Sequence, residues 1–171
     1  MNVAVVYFSL EGNTKYVAEK IAMTLGADII PLIPAKEYPT GQVSKYFWCG
    51  KSTTFKEKPK LETYSFDSQQ YDLIILGTPI WAGTFTPPLR TFLREHQLTG
   101  KKVALFACCS GGSADKCFTQ MENELLDCVV LTKLRLVEPF KNADPKDNEN
   151  IREFCAKLKD DLVQLSGNMS S

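Results

Sequence analysis

Five short apolar runs, rich in β-branched residues, limit the possible folds of this chain more than any other feature. They extend over Val3 to Phe8, Asp28 to Ile33, Leu73 to Leu76, Val103 to Ala107 and Val129 to Val137. Continuous apolar runs of this length are typical of strands that are buried on both faces of a parallel sheet. The sequence therefore predicts five parallel strands whose connections cross over the sheet.

Amphipathic helical patterns separate most of these runs. Val17, Ile21 and Leu25 recur on one helical face before Gly26, a residue suited to the position just past a helix. Strands that alternate with helices predict a doubly wound α/β fold, with helices on both faces of the sheet. The later patterns are Pro87-Pro88 followed by Leu89, Phe92 and Leu93; Phe118, Met121, Leu125 and Leu126; and Ile151, Phe154, Cys155, Leu158 and Leu162.

The length of the chain fits one domain. Its 171 residues are enough to bury about 70% of the surface that the unfolded chain exposes. We expect a single domain over residues 1–166 and a polar tail over 167–171. The connection at about 34–70 is long for a link between strands, and Val43, Tyr46 and Phe47 could form a helical face in it that ends at Gly50. This connection is expected to cap the fold and could border a ligand.

Charge and cysteine spacing narrow the classes of partner. Twenty basic side chains balance twenty acidic ones, so neither nucleic acid nor an anionic membrane is an expected partner. No run approaches the ~20 apolar residues of a membrane span, and the first residues lack a signal-peptide pattern. The six cysteines lack the spacing of zinc or iron–sulfur ligands. We expect a small-molecule ligand and a reducing, cytoplasmic location.

The first candidate binding loop joins the first strand to the first helix. Backbone N–H groups and the dipole at a helix N-terminus favour an anion without any lysine. The hydroxyls of Ser9 and Thr14 could donate further hydrogen bonds, while Gly12 lets the backbone approach a phosphate closely. Alternatively, Asn13 or Thr14 only caps the helix. The loop consists of Ser9, Leu10, Glu11, Gly12, Asn13 and Thr14.

The second candidate loop follows the third strand and is apolar. An aromatic side chain at a strand end is costly to leave in water, so Trp81 is expected to contact a flat ring system. The alternative is that Trp81 packs against its own helix. The loop consists of Thr78, Pro79, Ile80, Trp81, Ala82 and Gly83, with Thr84 after it.

The third candidate loop follows the fourth strand and contains paired glycines. These could let main-chain amides reach the edge of a ligand, although a flexible strand-to-helix connection would need glycine too. Because all three loops follow parallel strands, they should converge at one end of the sheet, where ligands of such folds bind. The loop consists of Cys108, Cys109, Ser110, Gly111 and Gly112.

These loops resemble those of the flavodoxin family. The Gly-Asn-Thr ending of the first loop is similar to the family's phosphate-binding signature, and the segment 78–84 looks like its flavin loop. The resemblance continues through 77–93 and 103–112. It implies the flavodoxin fold with strand order 2-1-3-4-5, noncovalent FMN, and electron exchange with a redox partner protein or a small-molecule acceptor. It also implies that Trp81 lies beside the isoalloxazine and Gly83 beside its N5 atom.

Two features depart from this resemblance. Cys109 stands where many flavodoxins carry a tyrosine against the flavin, so Phe47 or Trp48 is a candidate cover for that face. Electron-carrying flavodoxins are typically very acidic, whereas this chain is formally neutral with a pI near 6.6. Three functions therefore stay open: an electron carrier, an FMN-dependent NAD(P)H reductase of quinones or similar acceptors, and a non-catalytic FMN-binding module.

Other sites are not supported by the sequence. The segment 50–53 resembles the end of a phosphate-binding nucleotide loop, but Lys45 stands where that motif requires glycine. No GxGxxG pattern is present, and the strand ends lack the acidic residues of a phosphorylated receiver domain. His96 is expected to be solvated, and Cys108 and Cys109 are expected to be buried rather than reactive.

Overall fold

The computed structural model describes residues 2–36, 38, 58–142 and 144–167. Within these residues five strands form one sheet in the order β2-β1-β3-β4-β5, and each neighbouring pair is parallel. The predicted fold class and strand order are confirmed. The strands are β1 (Val3–Tyr7), β2 (Asp28–Pro31), β3 (Leu73–Pro79), β4 (Lys102–Cys109) and β5 (Val129–Val137).

Helices cover both faces of the sheet, as predicted. Phe85, Phe92 and Met121 belong to the core on the side of α2 and α3, whereas Ile21 and Leu158 belong to the core on the side of α1 and α5. None of the helices in the described ranges is long and apolar enough to cross a membrane. The helices are α1 (Asn13–Leu25), α2 (Pro87–Glu95), α3 (Asp115–Glu124), the short α4 (Pro139–Asn142) and α5 (Pro145–Gly167).

Several predicted boundaries were wrong. The ladder between β3 and β4 continues past the apolar runs, pairing Thr78 with Ala107 and Pro79 with Cys108, so that the first residues of two predicted loops belong to strands. The helix predicted to present Leu126 to the core ends at Glu124 instead. Leu126 consequently lies outside the core, with 81% of its surface exposed.

The ends of the long connection are fixed to each other. Pro34 and Leu61 form an antiparallel bridge, and the Glu62 N–H donates to the Ile33 carbonyl at 2.7 Å. The helical face predicted around Tyr46 and the candidate flavin covers Phe47 and Trp48 lie outside the described residues. The single-domain organisation with a polar tail stays a prediction.

His96, at the end of α2, is not the solvated residue that the sequence predicted. Its Nε2 atom lies 2.8 Å from the Tyr64 hydroxyl, and its ring packs 4.9 Å from Phe66 and 4.8 Å from Phe92. Burial lowers the pKa of His96. The prediction failed because the segment that leads into β3 folds back over the end of α2.

Candidate functional site

The three predicted loops meet around one cavity at the carboxyl ends of β1, β3 and β4. The cavity has a volume of about 380 Å³, within the range of small-molecule binding sites. Apart from Glu138, every wall residue belongs to a predicted loop. The wall consists of Ser9, Leu10, Glu11, Asn13, Thr14, Pro79, Ile80, Trp81, Ala82, Cys108, Cys109, Ser110 and Glu138.

Five of the predicted site residues do not line this cavity: Gly12, Thr78, Gly83, Gly111 and Gly112. Thr78 is fully buried beneath the second loop, where its hydroxyl accepts the Thr86 N–H at 3.1 Å and lies 3.0 Å from the Thr86 hydroxyl. Thr78 therefore holds the start of the loop in place. The four glycines shape the backbone, and all have positive φ.

Gly12 forms the junction between β1 and α1. Its φ of +92° is a conformation that favours glycine, and its N–H donates to the Ser9 hydroxyl at 3.2 Å. Asn13 and Thr14 follow as the first residues of α1, and neither caps the helix. The helix-cap alternative is therefore wrong, and the N-terminus of α1 opens onto the cavity.

The Asn13 side chain is held in one orientation. Its Oδ1 atom accepts the backbone N–H of Phe140 at 3.0 Å. Because a backbone N–H can only donate, this bond identifies the amide oxygen. Among the described residues no acceptor pairs with Nδ2, so its two hydrogens can donate to a ligand at the cavity wall.

Thr14 carries a buried polar atom that its described neighbours leave unsatisfied. Its hydroxyl has no hydrogen-bond partner in the described part of the chain, and the residue is only 1% exposed. Burial raises the pKa of the neighbouring Cys108 thiol to about 12, and a weak interaction with the Thr14 hydroxyl lowers it by less; that contact lacks the geometry of an ordinary hydrogen bond. Buried hydroxyls without partners are uncommon in folded proteins. An unsatisfied hydroxyl beside a cavity indicates a ligand with polar atoms.

The second loop closes in a tight turn. Trp81 and Thr84 exchange two backbone hydrogen bonds of 2.9 and 3.0 Å, and the two residues between them, Ala82 and Gly83, have φ values of +49° and +76°. Positive φ at both central positions defines a type I′ turn. This conformation is costly for alanine, and such strain clusters at ligand sites.

The Trp81 ring is covered mainly by the protein itself. It packs edge to face against Phe8 at 5.5 Å and Tyr38 at 5.1 Å, and only 8% of the residue is exposed. Trp81 therefore needs no ligand to remove it from water, contrary to the reasoning from sequence. The alternative, packing against its own helix, does not describe these contacts either. Its remaining surface contributes to the cavity wall.

The third loop is tied to β5. The Arg135 guanidinium donates to the Gly112 carbonyl, and the Cys109 thiol lies 3.7 Å from the Leu136 carbonyl. Cys108 and Cys109 are both buried, as the sequence predicted. These contacts tie both ends of the loop to β5.

Sequence reasoning missed Glu138. It follows β5 directly, has a φ of +44°, and donates its N–H to the Cys109 carbonyl at 3.0 Å. Its carboxylate pairs with Lys141 at 2.9 Å. The signal was available, because β5 is also parallel and its carboxyl end lies at the same edge of the sheet.

The ionisable side chains of the wall do not favour an anion. Glu11 and Glu138 contribute carboxylates, whereas the described wall contains no lysine or arginine. A phosphate would therefore depend on the helix N-terminus and on neutral donors. The described residues also contain no cluster of His, Cys, Asp and Glu suited to a metal ion.

This combination of sheet order and cavity defines the class of flavodoxin-like α/β proteins. A family model described as flavodoxin matches residues 2–145. The chain belongs to the flavodoxin family. Comparison with curated proteins finds no significant match.

Solved structures include several similar folds. A candidate flavoprotein from Bacteroides eggerthii is 28% identical, with a TM-score of 0.71 over 83% of this chain and 94% of that chain. A flavoprotein from Lactobacillus acidophilus in complex with FMN is 20% identical, with a TM-score of 0.70 over 78% of this chain and 92% of that one. Oxidised flavodoxin 2 from Bacillus cereus is 19% identical, with a TM-score of 0.60 over 94% and 99%.

The turn at Gly83 yields a first prediction. Gly83→Val should lower the free energy of unfolding by roughly 1 to 2 kcal/mol, because an ordinary residue is strained at a left-handed φ. It should also weaken ligand binding, because the turn borders the wall. Urea unfolding and ligand titration measure the two effects. Gly100→Val is the matched control, since Gly100 has a φ of +75° in open space at the other end of β4. If both variants bind ligand like wild type, the turn does not shape the site.

Proposed function

We propose that this protein binds FMN noncovalently in the cavity and transfers electrons through it, to a redox partner protein or a small-molecule acceptor. Family membership supports this proposal, as does the Lactobacillus relative solved with FMN. The observation that carries it is the unsatisfied Thr14 hydroxyl at the start of α1, beside a cavity of suitable size. When bound, FMN would supply reversible one- and two-electron chemistry.

The phosphate would be held at the junction of β1 and α1. Backbone N–H groups of the first helical turn point along the helix axis, and their dipoles attract negative charge. Asn13 Nδ2 and the hydroxyls of Ser9 and Thr14 would add neutral donors. Hydrogen bonds to a charged group contribute about 1.5 to 3 kcal/mol each, so a few of them can compensate for the missing cation.

The ring system would lie against the apolar part of the wall. Leu10, Ile80 and Trp81 line that part of the wall, and Cys108, Cys109 and Ser110 line it too, so their remaining main-chain polar groups would lie near the ring. Apolar contact excludes water from the ring, while the few polar groups fix its orientation. These residues would bind and orient the cofactor. The predicted flavin covers at 47 and 48 stay proposals.

Electron transfer itself is tested by the absorbance spectrum of the FMN-loaded protein during stepwise reduction. We expect reversible reduction and reoxidation by a one-electron dye, with slow consumption of NAD(P)H. Rapid NAD(P)H consumption would favour the reductase instead. FMN binding without reversible reduction would leave only a binding module.

Thr14→Val should weaken FMN binding without lowering the stability of the apoprotein. The valine methyl replaces a buried hydroxyl that has no ordinary hydrogen-bond partner among the described residues, so the apoprotein should be as stable as wild type or more stable. FMN should bind about 10- to 150-fold more weakly, which corresponds to one lost hydrogen bond to a charged group. Thermal unfolding of the apoprotein and FMN titration measure the two effects. Thr24→Val near the end of α1 is the control, and equal FMN affinity in both variants would contradict a role for Thr14.

A further inference from the structure

Lys116, in the first turn of α3, lies against the turn of the second loop. A Cβ atom added at Gly83 would be 3.6 Å from Lys116 Cδ and 3.9 Å from Nζ. The aliphatic part of the lysine thus occupies the space over Gly83, and its ammonium ends beside the turn. Lysine commonly packs its stem on a surface while its charge stays in water.

Contacts further along α3 fix this position. Lys116, Gln120 and Glu124 recur at four-residue spacing and so share one helical face. Gln120 Oε1 accepts the Thr84 hydroxyl, and Glu124 accepts Arg90 at 2.7 Å. The same face therefore contacts the chain from the turn into α2. This register brings Lys116 to the turn.

Arg90 makes this register costly to change. Its side chain is 7% exposed, and its guanidinium stacks 4.1 Å from the centre of the Phe85 ring. A buried arginine that lost Glu124 would be left without its closest counter-ion. Sliding α3 along α2 would break this pair, so the position of Lys116 is set by a buried contact.

The charge of Lys116 beside the turn is opposite in sign to the charges of the cavity wall. The wall contributes the carboxylates of Glu11 and Glu138, whereas Lys116 places a cation beside Gly83, in the turn that follows Trp81 and Ala82. No carboxylate of the described residues lies within 4 Å of Lys116 Nζ. An electron that enters a bound flavin without a proton adds one negative charge in the cavity, and a nearby cation stabilises that charge.

We propose that the positive charge of Lys116 raises the reduction potential of the bound cofactor by favouring its reduced form. This inference rests on the proposed FMN site. Because the ammonium is exposed, solvent and salt screen its effect, and the expected magnitude is modest. We expect Lys116→Gln to weaken the binding of reduced FMN by about three- to tenfold relative to oxidised FMN. For a one-electron couple this equals a fall in potential of about 28 to 59 mV.

The experiment compares wild type with Lys116→Gln and Lys116→Arg in the FMN-loaded protein. Redox titration at fixed pH measures the potential, and titration of apoprotein measures the affinity for oxidised FMN. Lys116→Arg should keep the wild-type potential because it keeps the charge. Lys159→Gln, on α5 at the other face of the sheet, removes one positive charge far from the turn and should leave the potential unchanged. The difference between Lys116→Gln and wild type should shrink at high salt.

Each outcome decides a separate question. A lower potential in Lys116→Gln alone, with similar affinity for oxidised FMN, supports the inference. Equal potentials in Lys116→Gln, Lys159→Gln and wild type overturn it and leave the proposed FMN function intact. A fall in Lys116→Arg as large as that in Lys116→Gln also overturns it, because shape rather than charge would then matter. Failure of wild type to bind FMN overturns the proposed function, and this inference with it.

Discussion

Gly77→Ala should destabilise the protein by about 3 kcal/mol, at the upper end of what an added methyl group costs in a packed core. Gly77 lies in the central strand β3, directly opposite Phe106 on β4. A Cβ atom at position 77 would lie 2.1 Å from Cζ of that ring and 2.4 Å from its Cε1. Phe106 is completely buried, so its ring has no free space into which it could move.

The measurement is urea unfolding of the apoprotein, which isolates stability from ligand binding. Phe106→Leu and the double variant with Gly77→Ala complete a mutant cycle. The smaller leucine leaves room for the new methyl group, so the double variant should be more stable than the sum of the single effects by at least about 1 kcal/mol. Additive effects would contradict the close contact. The cycle stays informative if Gly77→Ala alone folds poorly, because the double variant is expected to fold.

The fold could be predicted from the sequence because it depends on burial. Strands that are buried on both faces must be apolar throughout, and amphipathic helices must cover both sides of a parallel sheet. Both requirements determine which positions of the sequence are apolar, so the strands and helices can be predicted from the order of residues. Strand ends are different. The ladder between β3 and β4 continues through Thr78, Pro79 and Cys108, and Cys109 pairs with Val137 of β5. A ladder depends on the partner strand as much as on the residue itself.

The location of the site was predictable for the same topological reason, whereas its details were not. Parallel strands bring their carboxyl ends together whatever their sequence, so the three loops had to converge. The sequence identifies Trp81 and His96 as side chains with aromatic rings, but it does not show which neighbours cover these rings. Tyr38 and Phe66, from the long connection between β2 and β3, cover these two rings. Glu138 has no distinctive local pattern, so only the topology, which brings the carboxyl end of β5 to the same edge, could have indicated it.

FMN should bind to the apoprotein at least about 100-fold more tightly than riboflavin, which lacks only the phosphate. The phosphate is expected to gain several hydrogen bonds at the start of α1, each worth about 1.5 to 3 kcal/mol. Repulsion from Glu11 and Glu138 reduces this gain, because the described wall places no lysine or arginine against the anion. Two or more net hydrogen bonds still correspond to a preference of 100-fold or greater.

The charges of the wall also predict how the affinity for FMN depends on salt. Since the described wall contains no lysine or arginine, added salt should screen the repulsion from Glu11 and Glu138 at least as much as the attraction of the α1 N-terminus. FMN affinity should therefore stay constant or rise between low and moderate salt. A steep fall would instead indicate a cation at the phosphate.

The phosphate site is tested best by titrating FMN and riboflavin into the same apoprotein and monitoring both titrations by calorimetry. We expect saturable binding of one FMN per chain, riboflavin at least about 100-fold weaker, and a difference between the two ligands that shrinks in Thr14→Val. Equal affinities for FMN and riboflavin in the wild-type protein would contradict a phosphate site at the N-terminus of α1.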